Sequence, residues 1–255
     1  MRPDDRQKLI ANLVRSKGRL TVEALAGELG TSRETIRRDL TALADNGLVR
    51  KIHGGAMPPW ADTEGPFSQR MLENTAAKQR IAVAAAGLFG AGDTLFIDTG
   101  STTLCLAEAL AKRAALTVVT NSSAIAKVLS QADAGHRVYL LGGEFNGDNL
   151  ETGGELALEQ IRAFRANHVV LTIGALEARA GVMDFNIEEA QVARAMIGQS
   201  QSVTIIADAS KFDRIAAFEV CPLERVARLV CDAPPTGDLA RKLAAAGVAV
   251  ICPPG

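Results

Sequence analysis

Apolar residues have mainly helical spacing in the first part of the chain, whereas beyond residue 78 short apolar runs alternate with helical periods. Before that point, apolar residues recur at intervals of three and four across residues 22–29 and again at Ile36, Leu40 and Leu43. Such intervals place the apolar side chains on one face of a helix. Gly30 separates the two segments and favours a turn. The pattern therefore predicts a helix, a tight turn and a second helix.

The second helix is predicted to begin at Ser32 and to end before Gly47. Thr31 and Glu34 have the spacing of a capping box, in which each side chain satisfies a backbone N–H group of the first helical turn. Arg37 falls on the side opposite the apolar stripe. One face of this helix can therefore pack against the protein while the other faces outward.

Arginines on the outward face suit contact with DNA. In a helix-turn-helix, the second helix enters the major groove and its first residues contact base edges. Arg33, Arg37 and Arg38 are then placed for bidentate contacts with guanine or with phosphate. The alternative is an ordinary helix whose arginines are simply solvated.

A turn flanked by strand-like residues follows this helix, between residues 48 and 57. It predicts a wing, in which Arg50 and Lys51 would lie against DNA phosphates. The charge distribution agrees, since residues 1–57 contain 11 Lys and Arg against 7 Asp and Glu, a net charge of +4, whereas the rest of the chain carries −5. A basic N-terminal part suits a nucleic-acid contact in that part alone.

Beyond residue 78, short continuous apolar runs alternate with helical periods. The runs are TLFID, LTVVT, RVYLL, VVLTI, VTIIA, ARLVC and VAVIC. Continuous runs indicate strands buried on both faces, which predicts an α/β domain with a mostly parallel sheet covered by helices. Ligands of such sheets bind beyond the carboxyl ends of the strands.

Proline and glycine concentrate between residues 58 and 66 and predict a linker. We therefore divide the chain into a winged helix-turn-helix domain at 1–57, a linker at 58–77 and a sensor domain at 78–255. Charged residues precede the first apolar run, which argues against a signal peptide, and no run is long enough to span a membrane. We expect a cytoplasmic protein without membrane contacts.

The cysteines and histidines give no indication of a metal site. Cys105, Cys221, Cys231 and Cys252 lack any C-x-x-C spacing and stand in apolar segments, so we expect buried thiols. His53, His136 and His168 are dispersed along the chain. We predict no metal and no cofactor.

The residues that follow the first strands predict a binding site. Asp98-Thr99-Gly100-Ser101-Thr102-Thr103 leads directly into a helix, where backbone N–H groups, hydroxyls and a glycine make an anion site. A plain helix cap at Ser101 or Thr102 is the alternative. Asn121-Ser122 opens the next helix in the same way, and Gly142-Gly143 follows the third strand, so three strand ends could line one crevice.

Two charged residues further along are additional candidates. Glu189, in the segment IEEAQVARAMI, could accept sugar hydroxyls, and Lys211, just past VTIIA, could hold an anion. A solvated helix carboxylate and a solvated loop lysine are the alternatives. Asp208 could orient Lys211 or cap the turn that follows it.

The N-terminal motifs resemble those of the DeoR family of bacterial transcription regulators. The matching residues are Arg6, Ile10, Val14, Ser32, Thr35, Ile36, Arg37, Arg38, Asp39, Leu40 and the wing sequence His53-Gly54-Gly55-Ala56. The resemblance implies that the DNA-binding residues are Ser32, Arg33, Thr35, Arg37, Arg38, Arg50, Lys51 and His53. It also implies a homo-oligomer, dimer or tetramer, bound to double-stranded operator DNA.

The second part of the chain resembles the sensor domain of the same family, so the resemblance covers nearly the whole chain. The matching segments are 96–103, 119–122, 142–143, 184–197 and 207–212. That domain is similar to ribose-5-phosphate isomerase. The resemblance implies a phosphorylated sugar or polyol as effector, held at Asp98 and at Gly100, Ser101, Thr102 and Thr103, and a repressor of a sugar or polyol catabolic operon.

The resemblance has two gaps and one finer indication. Asn167-His168 stands where family members often have Asp-Lys, and Ala193 stands where they often have Lys. The segments LFID, VMDFNIEEA and DAPP resemble a subgroup that responds to glycerol 3-phosphate.

A phosphosugar isomerase with an added DNA-binding domain is the competing function. Isomerisation needs a carboxylate base near the substrate carbons and an acid partner. The segment that corresponds to the acidic cluster of the enzymes reads Gly174-Ala175-Leu176-Glu177, with a single acid. We therefore predict a regulator without catalytic residues, and an isomerase assay separates the two functions.

Overall fold

The computed structural model describes residues 2–17, 20–52, 54–57 and 65–253. It divides into two compact units, residues 1–65 and residues 66–255. His53 of the predicted wing and residues 58–64 of the predicted linker lie outside the described residues. Residues 67–77, which the sequence places in the linker, contribute two helical segments to the second unit.

The first unit is a winged helix-turn-helix, as predicted. Its elements are α1 (Pro3–Lys17), β1 (Leu20–Thr21), α2 (Val22–Leu29), α3 (Arg33–Asp45), β2 (Arg50–Ile52) and β3 (Gly55–Met57). The strands form an antiparallel sheet in the order β1-β3-β2, and we call β2, β3 and the turn between them the wing.

The start of α3 differs from the prediction by one residue. Ser32, rather than Thr31, is the N-cap, because its hydroxyl oxygen accepts the N–H of Thr35 at 3.1 Å. Thr31 follows the end of α2 and satisfies it, since its N–H donates to the carbonyl of Ala26. Gly30 makes this tight junction possible by adopting a left-handed conformation with φ of 58°.

The apolar stripe of α3 forms the core of this unit, as predicted. Ile36, Leu40 and Leu43 are at most 2% exposed and pack with Ile10 and Val14 of α1. A polar contact fixes the same two helices, because the guanidinium of Arg6 and the amide of Gln7 both donate to the buried carboxylate of Asp39.

The second unit is built on a seven-stranded parallel sheet. The strand order is β15-β14-β12-β9-β4-β5-β6, and every neighbouring pair is parallel. These strands are β4 (Thr94–Ile97), β5 (Thr117–Thr120), β6 (Arg137–Leu140), β9 (Ala166–Leu171), β12 (Ser200–Ile206), β14 (Arg228–Val230) and β15 (Ala249–Ile251). Each of the seven predicted apolar runs is one of these strands.

Helices cover both faces of the sheet. They are α4 (Phe67–Arg70), α5 (Thr75–Ala86), α6 (Ser101–Leu110), α7 (Ser123–Ser130), α8 (Gly154–Arg162), α9 (Ile187–Gly198) and α10 (Gly237–Ala245), with 3-10 turns at Ala209–Lys211 and Leu223–Arg225. The buried side chains of the strands divide into two clusters, one on each face. The predicted burial on both faces is wrong for the two edge strands, since Tyr139 and Leu140 of β6 and Val250 of β15 are exposed.

Five short strands escape the sequence pattern. They are β7 (Glu144–Asn146) and β8 (Glu151–Gly153), which form a hairpin, and β10 (Ala175–Glu177), β11 (Gly181–Asp184) and β13 (Phe218–Cys221), which form a small antiparallel sheet. Runs of three or four residues with polar positions carry too little apolar periodicity to be recognised.

Among the described residues, no helix is long and apolar enough to cross a membrane. Within the same residues, no group of three His, Cys, Asp or Glu side chains could hold a metal ion. Cys221 and Cys231 are buried thiols as expected. Cys105 is only half-buried, and Cys252 is exposed, since it follows the edge strand β15.

The core of the first unit gives a stability prediction. Leu40→Ala removes a side chain that is 1% exposed and should lower the free energy of unfolding of this unit by about 2–5 kcal/mol. Leu48→Ala, at a side chain that is 46% exposed, should change it by less than about 0.5 kcal/mol. Chemical denaturation of the two variants measures the difference, and equal effects would contradict the core assignment.

Candidate functional site

The outward face of α3 carries the predicted DNA-contacting arginines. The side chains of Arg33, Arg37 and Arg38 are 65%, 62% and 80% exposed. Their nearest carboxylates, Glu23 and Glu34, lie 3.4–3.9 Å away and are themselves more than half exposed. Solvated ion pairs of this kind contribute little, so the guanidinium groups can exchange these partners for another anion.

The start of α3 offers hydrogen-bonding groups beside the arginines. The hydroxyls of Ser32 and Thr35 lie 2.8 Å apart; Ser32 is exposed and Thr35 is half-buried. The first backbone N–H groups of a helix have no partner within the helix and attract anions. The predicted residues Ser32 and Thr35 therefore stand where a phosphate oxygen or a base edge could meet them.

The wing brings two further cations to the same unit. Arg50 and Lys51 lie on β2, and both are exposed. The ammonium of Lys51 donates to the hydroxyl of Thr41 on α3 at 3.0 Å, which ties the wing to the second helix. The exposed arginines of α3 and the two cations of β2 therefore belong to elements that are in contact.

The parallel sheet brings the other predicted site residues together. β4 lies between β5 and β9, and β5 also pairs with β6, all in parallel. The residues that follow these strands therefore emerge together at the carboxyl ends of the strands. They are residues 98–103 after β4, 121–122 after β5 and 142–143 after β6. We call these residues, with the side chains that contact them, the strand-end site.

Gly100 makes a close approach within this site. A Cβ atom at Gly100 would lie 2.4 Å from Oγ1 of Thr172, so no other residue fits there without a shift. Gly100 immediately precedes α6, and its carbonyl accepts the hydroxyl of Thr103. Thr103 therefore fixes the turn, whereas the hydroxyls of Ser101 and Thr102 make no hydrogen bond within the described part of the chain.

Asp98 occupies an electrostatically unfavourable position. Both of its carboxylate oxygens accept the N–H of Thr172 at 3.1 Å. Burial raises the pKa of Asp98 well above its ordinary value, and the negative charges of Asp184, Glu189 and Glu151 raise it further. Several carboxylates therefore converge near the end of β4.

Asn149 connects these carboxylates, and the sequence pattern gave no indication of it. Its side-chain N–H group donates to Glu151 at 3.1 Å and to Glu189 at 3.0 Å, while its Oδ1 accepts from Arg70 at 3.3 Å. Thr99 donates to its backbone carbonyl. Glu189 is thus held within the strand-end site and is not a solvated helix carboxylate.

The turn that carries Asn149 joins β7 to β8. Its next residue, Leu150, has a φ of 55°, a strained conformation for a residue with a side chain. Gly143 packs against this hairpin, since a Cβ atom there would lie 2.2 Å from the carbonyl oxygen of Gly153. Gly142 donates its N–H to Gln160. Both predicted glycines therefore have packing roles.

Asn121 presents a buried acceptor without a donor. It is 2% exposed, and its Nδ2 donates to Glu151 and to the carbonyl of Thr152. Within the described part of the chain, its Oδ1 has no hydrogen-bond partner. A buried acceptor without a donor is costly, so this atom favours a donor from water or from a ligand. Ser122 acts as the N-cap of α7, which is the alternative expected for such a residue.

Lys211 lies near a second lysine that sequence reasoning missed. Lys78 of α5 is buried, and its ammonium donates to the carbonyl of Arg70. Burial lowers the pKa of Lys78, the carboxylate of Asp208 raises it, and the charge of Lys211 lowers it. Asp208 caps the 3-10 turn that carries Lys211 by accepting the N–H of Ser210. The sequence feature that could have identified Lys78 is that it is a single lysine within the apolar helix α5.

The departures from the family pattern have structural roles in this chain. Asn167 accepts the N–H of Thr94 at 2.9 Å, at the start of β4. The ring of His168 lies 5.2 Å from the ring of Phe89. Ala193 is buried in the core.

A small cavity adjoins the carboxylates. Its volume is about 30 Å³, and it is lined by Glu144, Glu151, Thr152, Gly153, Glu188, Glu189 and Val192.

Comparison with known proteins agrees with both units. The DeoR C-terminal sensor domain matches residues 73–233, and the DeoR-like helix-turn-helix domain matches residues 6–59. The glycerol-3-phosphate regulon repressor of Escherichia coli is 34% identical over 92% of this chain and 93% of its own length. The transcriptional repressor AccR of Agrobacterium fabrum is 35% identical over 89% of each chain.

Among solved structures, ribose 5-phosphate isomerase A from Neisseria gonorrhoeae is similar in part. The alignment has a TM-score of 0.38 and 16% identity, and it covers 55% of this chain and 53% of the isomerase.

The contact at Gly100 gives a second prediction. Gly100→Ala should lower the free energy of unfolding of the second unit by about 1–3 kcal/mol, because the added methyl group would overlap Thr172. Thermal unfolding measures the effect. Thr172→Ala in the same chain should recover part of the loss.

Gly198→Ala is the matched control for this substitution. Nothing lies within 4 Å of its added Cβ, and the residue ends a helix, so stability should stay equal or rise. A Gly100→Ala variant as stable as this control would show that the close approach is not needed.

Proposed function

This chain belongs to the DeoR family of transcriptional regulators, and we propose that it represses an operon for sugar or polyol catabolism under the control of a phosphorylated effector. The chain is a DNA-binding regulator, since both family domains and relatives named as repressors cover nearly all of it. The operator contacts, the effector and the assembly are the proposed parts.

The proposed DNA contacts are those of the surface formed by α3 and the wing. Arg33, Arg37 and Arg38 would contact base edges and phosphates, with Ser32 and Thr35 at the helix start. Arg50 and Lys51 would contact the backbone. His53 completes the proposed set, although it lies outside the described residues. A dimer or tetramer would bind paired half-sites spaced by whole helical turns.

One observation carries the effector proposal: the strand-end site combines an anion-binding helix start with buried hydrogen-bond acceptors. The backbone N–H groups and the hydroxyls of Ser101 and Thr102 at the start of α6 suit a phosphate. The Oδ1 of Asn121 has no donor among the described residues, and the carboxylates of Glu151 and Glu189, which already accept from Asn149, have further lone pairs. The hydroxyl groups of a sugar or polyol would donate to these acceptors. Lys211 would add a positive charge.

The hydrogen bonds of Asn149 connect this site to Arg70, which the sequence places in the linker. Arg70 belongs to α4, the first helix after the boundary at residue 65, and Asn149 connects it to Glu151 and Glu189. Effector hydroxyls that donate to these carboxylates would compete with the side-chain N–H group of Asn149. The hydrogen bond between Asn149 and Arg70 would change as a result. A coupling of about 1–3 kcal/mol would lower operator affinity several-fold to a hundred-fold.

We further propose that the site binds its effector without turnover and that the protein acts in the cytoplasm. Glu177, the single acid in the segment that corresponds to the catalytic acids, accepts the N–H groups of Arg179 and Ala180 at 2.7 and 2.8 Å. These bonds lower the pKa of Glu177 and hold it in a turn. Conversion of a sugar phosphate by the purified protein would favour the isomerase alternative.

Operator binding should distinguish base contacts from phosphate contacts. Arg37→Ala should lower affinity for the DNA upstream of the protein's own gene by about 1–3 kcal/mol and relax one base preference. Lys51→Ala should weaken binding to all sequences and reduce the salt slope by about 1. Binding titrations with operator and scrambled DNA at several salt concentrations measure both.

Lys242→Ala, at an exposed cation of α10 in the second unit, is the matched control and should change neither quantity. If Arg37→Ala and Lys51→Ala reduced binding to every sequence equally, the proposed division of roles would fail.

The effector proposal is tested by thermal shift. A panel of phosphorylated sugars and polyols, starting with sn-glycerol 3-phosphate, should contain a ligand that raises Tm, since a ligand at about 100 times its Kd adds roughly 2.7 kcal/mol. The unphosphorylated counterparts should give a smaller shift. Thr102→Val should abolish the response and leave operator binding in the absence of ligand intact.

Thr117→Val controls for the loss of a threonine hydroxyl, because Thr117 begins β5 and lies at the end of the sheet opposite the strand-end site. It should respond to the ligand as the unaltered chain does. A response that survives in Thr102→Val would show that the phosphate lies elsewhere.

A further inference from the structure

Two of the four thiols face each other across neighbouring strands. Cys231 follows the last residue of β14, Cys252 follows the last residue of β15, and the register pairs Val230 with Ile251. The N–H of Cys231 donates to the carbonyl of Ile251 at 3.0 Å. As a result, the two Sγ atoms lie 3.4 Å apart. The sequence gave no indication of this pair, because α10 separates the two cysteines along the chain.

We propose that Cys231 and Cys252 form a reversible intramolecular disulfide in the second unit. Neighbouring strands lie about 4.8 Å apart, which is within the range of roughly 4.4–6.8 Å that a disulfide requires between Cα atoms. The sulfur atoms must approach from 3.4 Å to about 2.05 Å, a distance that side-chain rotation can supply. The backbone pairing that sets this geometry is already in place.

The two thiols differ in access, which sets the order of the reaction. Cys252 is exposed, whereas Cys231 is buried, and burial raises the pKa of the Cys231 thiol. A hydroperoxide therefore reaches Cys252 first. The Cys252 thiolate attacks the peroxide oxygen and becomes a sulfenic acid, and the leaving oxygen takes up a proton.

The second step closes the bridge. The sulfur of Cys231 attacks the sulfenic sulfur of Cys252, loses its proton, and releases water. Two thiols and one hydroperoxide thus give one disulfide, one water and one alcohol, or two waters when the oxidant is hydrogen peroxide. A low-molecular-weight thiol reverses the reaction by exchange.

The pair lies next to a contact that supports the 3-10 turn of Lys211. Asp232 follows Cys231, and its Oδ1 accepts the N–H of Ala209 at 2.8 Å. Ala209 begins the 3-10 turn that ends at Lys211. A bridge at Cys231 would therefore restrain the segment that positions Lys211.

Mass spectrometry of the full chain tests the bridge. The reduced protein is freed of reductant, treated with hydrogen peroxide and alkylated. We expect the loss of two hydrogen atoms and no alkylation of Cys231 or Cys252. Because Arg241 and Lys242 stand between the two cysteines, trypsin should give a linked pair of peptides that separates on reduction.

Three variants control the assignment. Cys252→Ser, at an exposed residue, should abolish the linked peptides, whereas Cys105→Ser should keep them. Cys231→Ser should leave a sulfenic acid at Cys252 that dimedone traps. Alkylation of Cys231 after oxidation, or bridges between chains through Cys252, would overturn the proposal.

Two further readouts test the structural consequence. The bridge should raise the Tm of the second unit by about 5 °C, because it closes a loop around α10. Hydrogen exchange at Ala209 should slow in the oxidised chain and stay unchanged in oxidised Cys252→Ser. A linked chain with the same Tm and the same exchange at Ala209 would overturn the restraint on the Lys211 segment.

Discussion

The parallel alignment of β4 with β5 and β9 is the constraint on which the proposed site depends. Parallel strands end at the same edge of a sheet, so the helices that follow β4 and β5 start side by side. Gly100 lets the start of α6 approach Thr172, the residue after β9, more closely than any side chain would allow. Strand direction and one close approach therefore place the helix start, the buried Asn121 and the carboxylates together.

The second feature of this site is the negative charge of its carboxylates. Asp98, Glu151 and Glu189 converge where the sheet ends, and burial raises the pKa of both Asp98 and Glu151. One amide, that of Asn149, donates to two of these carboxylates and accepts from Arg70. Networks in which one group serves several partners respond strongly to the loss of any single contact. A ligand that supplies its own donors at this point competes directly with the protein.

The sequence predicted the elements that carry strong periodicity. The stripe of Ile36, Leu40 and Leu43 and the seven apolar runs correspond to α3 and to the strands of the parallel sheet. It also placed residues 98–103 and 121–122 at the carboxyl ends of strands, because continuous apolar runs predict a mostly parallel sheet, whereas the order of the strands does not follow from the runs. The hairpin that carries Asn149 was missed, since its strands are three residues long and polar. The burial of Lys78 and the approach of Cys231 to Cys252 depend on packing between segments that are distant in the sequence. No local sequence pattern predicts such packing.

The cap of α3 at Ser32 has a consequence for operator specificity. One residue corresponds to about 100° of rotation around a helix axis, so a shift of the sequence by one residue along α3 would change which side chains of the first turn face outward. Arg33 is the first helical residue, and Arg37 follows one turn later on nearly the same side. Any code that relates this helix to the bases of a half-site must therefore be counted from Ser32. An exchange of recognition helices between relatives preserves specificity only when this starting point is carried over with the arginines.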